Sequence, residues 1–122
     1  MKKIIGLSLL IVCSLPLVAQ NSGEQLLAKC KAAEQYFDHR KLDETGYLNA
    51  GECMGILGGV VATDNSYKKL TPSQSHVCLP ASADAEQMVR VMVKWMNSHP
   101  EKLHLDPIQI IATGLIEAFP CK

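Results

Sequence analysis

Two cysteines, Cys78 in Cys78-Leu79-Pro80 and Cys121 in Phe119-Pro120-Cys121, bracket almost all of the last 45 residues of this 122-residue chain. Between them lie two amphipathic segments joined by Asn97-Ser98-His99-Pro100-Glu101-Lys102-Leu103-His104. If both segments are helices packed antiparallel, the start of the first lies beside the end of the second. The two cysteines then share one end of the pair, within reach of a disulfide. A bridge there implies an oxidising compartment.

The N-terminus independently points the same way. Lys2-Lys3 form a positive n-region, Ile4 to Leu15 is almost wholly apolar, and Leu17-Val18-Ala19 offers a small-residue cleavage site before Gln20. Residues 1–19 therefore read as a secretory signal peptide. The apolar run is short for a span, which needs roughly 20 residues. Ile11-Val12-Cys13 lacks the small residues that normally precede a lipidated cysteine, so the reading favours a soluble exported chain. Cleavage after Ala19 leaves 103 residues, sufficient for one small domain over residues 20–122, with 10 basic and 12 acidic groups. That near-neutral balance gives no basic footprint for nucleic acid and no long basic amphipathic stretch for an anionic membrane.

The same cleavage removes Cys13 and leaves Cys30, Cys53, Cys78 and Cys121. Four cysteines allow three pairings, among which sequence alone does not choose. Helix-hairpin geometry favours Cys30 with Cys53 and Cys78 with Cys121. A zinc site shared with the four histidines is the rival. It is disfavoured by the wide spacing, by the lack of any C-x-x-C pair and by export.

Four segments carry helical periodicity. Ser22, with Gln25 three positions later, forms a capping box, and Leu26, Cys30, Ala33 and Phe37 then mark one helix face. That helix is expected to fray near Arg40-Lys41, with Asp43-Glu44-Thr45-Gly46 as the turn. The second segment, about Tyr47 to Ala62, holds Gly51, Gly55, Gly58 and Gly59. Each costs roughly 0.8–1 kcal/mol against alanine in a helix interior. Gly51, Gly55 and Gly59 form a shallow stripe, read first as a site of close packing within the domain and second as a self-contact in a homodimer. Asp64-Asn65-Ser66 is expected to end this helix. A polar loop to Ser82 would follow, interrupted at most by a helical turn after Thr71-Pro72.

Asp84 with Gln87 caps the third segment, and Met88, Val89, Val91, Met92, Val93, Trp95 and Met96 make most of its circumference apolar, as a central helix requires. Asp106, Pro107 and Gln109 start the fourth, whose inward face is read as Ile108, Ile111, Ala112, Leu115 and Phe119. No segment alternates with a period of two. The fold class is all-α, a bundle of four to five helices.

The motifs Gln87-Met88-Val89-Arg90-Val91, Lys94-Trp95-Met96-Asn97, His99-Pro100-Glu101-Lys102-Leu103-His104 and Ile116-Glu117-Ala118-Phe119-Pro120-Cys121 together resemble the Rap/Tai family. The glycine-rich cysteine helix, Gly51-Glu52-Cys53-Met54-Gly55 and Gly58-Gly59-Val60-Val61, is similar too, although Ile56 stands where the family often has an aromatic. The resemblance implies a periplasmic immunity protein against type VI secretion amidase effectors. It further implies an HdeA-like helical fold, commonly dimeric, that blocks the effector's active-site cleft. His99, Glu101, Lys102 and His104 are the side chains of the polar Asn97–Leu105 connection that could reach a partner, and by the same resemblance the effector-facing regions are this connection and the segment before Cys78. That segment carries Tyr67, Lys68, Lys69, Gln74 and His76.

An inhibitor needs a rigid scaffold rather than catalytic groups. No nucleophile, base and orienting group assemble from this sequence, so it reads as a non-enzyme without cofactor or metal. The alternative is an HdeA-like periplasmic acid-stress chaperone, which the acidic groups permit without pointing to it.

Overall fold

The computed structural model describes residues 22–74 and 76–122; the expected leader over residues 1–19 lies outside them. Four α-helices follow in order: α1 (Gly23–Phe37), α2 (Glu44–Leu70), α3 (Ala85–Ser98) and α4 (Pro107–Ala118). Short 3-10 turns occupy Pro72–Gln74 and Pro100–Lys102. Among the described residues there is no strand, only an isolated antiparallel bridge between Val77 and Pro120. The molecule is a small all-α bundle, and none of its described helices is long and apolar enough to cross a membrane.

The helix starts follow the side-chain chemistry of the sequence. Ser22 Oγ accepts from the Gln25 amide at 3.4 Å, and Asp84 Oδ1 from the Gln87 amide at 2.8 Å. Asp106 Oδ1 takes the Ile108 amide at 2.8 Å, with Pro107 at the first helical position, where its missing N–H costs nothing.

The start of α2 corrects the expected turn. Asp43 is itself an N-cap, its Oδ1 accepting from the Gly46 amide at 2.7 Å, so Glu44-Thr45-Gly46 is the first turn of α2. The reversal lies just before it. His39 donates to the Tyr36 carbonyl at 3.1 Å and Arg40 to the Gln35 carbonyl at 3.0 Å, the bond pair of a Schellman motif.

α2 also runs past its expected end at Asp64-Asn65-Ser66, reaching Leu70. Residues that usually favour turns are accommodated because their hydroxyls find helix carbonyls one turn back. Thr63 Oγ1 donates to Gly59 at 2.8 Å and Ser66 Oγ to Ala62 at 2.9 Å. Lys68 and Lys69 in the last turn suit the negative end of the helix dipole. Thr71, which precedes a proline, then leaves the helix with φ −140° and ψ 80°.

α3 touches the other three helices and supplies Val89, Met92, Val93, Trp95 and Met96 to the core. Leu26, Cys30 and Ala33 of α1 meet Ala50, Cys53 and Leu57 of α2, and Ile110, Ile111 and Leu115 close the core from α4. Disulfides join Cys30 to Cys53 and Cys78 to Cys121, the set that hairpin geometry favours.

The buried face of α4 is rotated from the expected one. Pro107, Ile110, Ile111, Gly114 and Leu115 point inward, while Ile108 is 53% exposed. The cause is Gly114: a Cβ there would lie 2.7 Å from Met92 Cε and 3.2 Å from Trp95 Cδ2, so the bare backbone is what α3 packs against. The stripe on α2 is the opposite case. A Cβ at Gly51, Gly55, Gly58 or Gly59 would meet nothing within 4 Å, so close packing inside the domain is not their role. The close approaches are at Gly114 and at Gly23, where a Cβ would sit 2.7 Å from the Leu103 carbonyl oxygen.

Candidate functional site, the α3–α4 connection

Trp95 organises the end of α3. Only 8% of it is exposed, and a buried indole N–H needs an acceptor. Glu117, the one charged residue of α4, supplies it: Nε1 donates to Oε2 at 2.6 Å. His99, at the C-cap of α3, stacks on the same indole with ring centroids 4.3 Å apart and planes 22° apart. Its Nδ1 lies 2.8 Å from the Trp95 carbonyl oxygen. A carbonyl only accepts, so this bond places a hydrogen on Nδ1 and leaves Nε2 as the lone-pair nitrogen of the neutral ring. Lys102 completes the group, its Nζ 5.2 Å from the Trp95 ring centroid and 4.0 Å from Glu117 Oε1.

The backbone of the connection is equally constrained. The amides of Lys102, Leu103 and Leu105 donate to the carbonyls of His99, Pro100 and Lys102. Leu103 and Leu105 pack against the core, so the segment is anchored from below. Glu101 and His104 are then left exposed, whereas His99 and Lys102 are half-buried and partnered. The four residues named from the sequence thus divide into two that project and two that hold the connection in shape. Trp95 and Glu117 escape a reading based on polarity and exposure. The signals available were an indole on a core helix and a lone carboxylate in an apolar one.

The second group of residues lies elsewhere. Tyr67, Lys68 and Lys69 belong to the last turns of α2, not to a loop, Gln74 ends the 3-10 turn, and His76 is exposed just before Val77. Lys68 Nζ lies 3.6 Å from Cys78 Sγ, which places this group beside the Cys78–Cys121 bridge. That bridge closes the opposite end of the α3–α4 hairpin from the connection. Fourteen residues of α3 separate the ends, about 20 Å at 1.5 Å per residue. The two groups do not form one site. Tyr67 instead lines an open apolar groove of about 490 Å³ with Ile56, Gly59, Val60, Thr63 and Ile108.

Among the described residues no group of three or more histidine, cysteine or carboxylate side chains could hold a metal ion. All four described cysteines are in disulfides, a pattern that fits an oxidising, extracytoplasmic setting.

No curated protein and no solved structure matches this sequence. The family described as Rap1a immunity proteins matches it over residues 22–121, from the cap of α1 through the second cysteine of the α3–α4 clamp. Membership of an immunity protein family implies binding of a cognate effector protein. The chain belongs to the Rap1a immunity protein family.

Proposed function

We propose that the protein binds a peptidoglycan amidase delivered by a type VI secretion system and occludes its active-site cleft, acting in the periplasm as a homodimer. The observation that carries this reading is the family match together with the braced α3–α4 connection. A cleft is blocked best by a segment already held in its bound shape, because little conformational entropy is then lost on binding. Trp95, Glu117 and Lys102 brace the connection, and Glu101 and His104 present a carboxylate and an imidazole at its surface. The exposed glycine face of α2 supports self-association, since bare backbone lets a second helix approach closely.

The test is inhibition of a cognate type VI secreted peptidoglycan amidase, with complex formation followed by calorimetry. Glu101→Ala with His104→Ala is expected to weaken binding by about tenfold or more, as loss of a charged hydrogen bond does, with Tm unchanged. Normal affinity in that variant moves the contact surface to Tyr67–His76. Absence of a complex with the unaltered protein removes the amidase reading.

A further inference from the structure

A different surface, at the reversal between α1 and α2, has the features of a binding cleft. Tyr36 and Tyr47 are 46% and 50% exposed, with ring centroids 6.4 Å apart in an edge-to-face arrangement, and Phe37 packs edge-on to Tyr36 at 5.6 Å. With His39, Arg40 and Lys41 they line a concavity of about 480 Å³, walled on one side by Glu86. Exposed tyrosines offer large, rigid contact area, and they concentrate with arginine at the energetic centres of protein interfaces.

The charges of the cleft are unevenly satisfied. Arg90 takes Asp38 at 2.7 Å and Glu86 at 2.8 Å, and Asp43 is engaged in capping α2. Glu44, exposed at the start of α2, does not line the concavity. Arg40 and Lys41 are exposed and make no ion pair with any described residue. The cleft therefore presents two unmatched cations beside an aromatic wall.

His39 adds an independent observation. It occupies the left-handed position of the Schellman motif with φ 56°, where glycine is favoured. Helix termination alone is served better by glycine, so the imidazole carries a backbone cost at a position where it lines the cleft.

We propose that this cleft is a second docking surface, which takes an acidic side chain and its apolar or aromatic neighbour from a protein partner. A carboxylate would pair with Arg40 and Lys41 while the neighbouring side chain packs on Tyr36 and Tyr47. An anionic membrane fits less well: the surface is concave, and polybasic lipid recognition uses clusters of about 4–8 cations. The cleft adjoins the first turn of α3 through Glu86, so it lies at the other end of that helix from the α3–α4 connection and stands apart from the amidase reading.

The experiment is a 15N NMR titration of the protein with the end-blocked peptide Leu-Glu-Tyr-Glu-Leu, beside the same peptide with glutamine for both glutamates. Saturable shifts at amides 38–41 and 47–48 are expected with the acidic peptide alone. Arg40→Ala with Lys41→Ala should weaken them by about tenfold. His39→Gly should raise Tm by a few degrees while weakening binding by about threefold, a combination that a purely structural residue does not give. No shift, equal shifts with the glutamine peptide, or shifts confined to another face overturn the proposal. So does sedimentation of the protein with phosphatidylglycerol vesicles and no peptide response, which would make the surface a membrane contact.

Discussion

Gly114 shows how much one missing Cβ decides. Met92 Cε and Sδ fill its space at 2.7 and 2.8 Å, and the Trp95 ring follows at 3.2 Å. Gly114→Ala must push buried atoms aside, so it is expected to destabilise the fold by about 1–3 kcal/mol, as overpacking does. Chemical denaturation checks this, and tryptophan emission should shift in the same variant because the indole is displaced. Glu34 gives a second residue-scale expectation. Partial burial raises its pKa above the ordinary 4.5, with Asp38 adding to the shift and Arg90 and Lys31 opposing it. The folded protein thus holds this proton more tightly than the unfolded chain. Stability falls as pH rises from 4.5 through the raised folded value, and the cost persists above it. Glu34→Gln should therefore raise Tm slightly at neutral pH, with the gain shrinking as the pH falls from the raised folded value towards 4.5. The carboxyl is only partly buried, which keeps the effect small. A gain that grows in acid would reverse the assignment.

At the scale of elements, what the sequence made legible was whatever is encoded within one helical turn. Ser22, Asp84 and Asp106 cap helices as read, and the apolar periodicity of α3 identified the helix that touches all the others. Properties set by a neighbour were not legible. The inward side of α4 depends on a glycine that carries no hydropathy signal, and α2 runs on through Asp64-Asn65-Ser66, residue types that suit a turn and a helix alike. Of the candidate site, Glu101 and His104 are exposed as polarity suggests, but the brace formed by Trp95 and Glu117 required knowing that α3 and α4 pack face to face. The glycines of α2 give the element-scale prediction. Because nothing lies near a Cβ at Gly55, Gly55→Ala should stabilise the helix by about 0.8–1 kcal/mol. If that face is the homodimer seam, sedimentation of the same variant should show weaker self-association. Stabilisation without any change in association would take the stripe out of the interface.

For the whole molecule, the two bridges divide the stabilising load between the α1–α2 and α3–α4 hairpins. Closing loops with sequence separations of 23 and 43 residues is worth about 3–4 kcal/mol each in the chain-entropy model. Small domains have only about 5–15 kcal/mol in total. Cys78→Ser with Cys121→Ser should consequently cost about 4 kcal/mol, measurable by urea denaturation. It should also loosen the Val77–Pro120 bridge and the hydrogen bond from the residue 78 amide to the Phe119 carbonyl, which hydrogen exchange of that backbone amide would report. The connectivity of the bridges bears on biogenesis as well. The first described cysteine joins the second and the third joins the fourth, so the closed loops follow one another without overlapping. A polypeptide emerging N-terminus first into an oxidising space presents Cys30 and Cys53 before Cys78 exists there to compete. Vectorial oxidation in order of emergence therefore yields the native set, and this protein should mature with a thiol oxidase alone, without an isomerase to shuffle mispaired bonds.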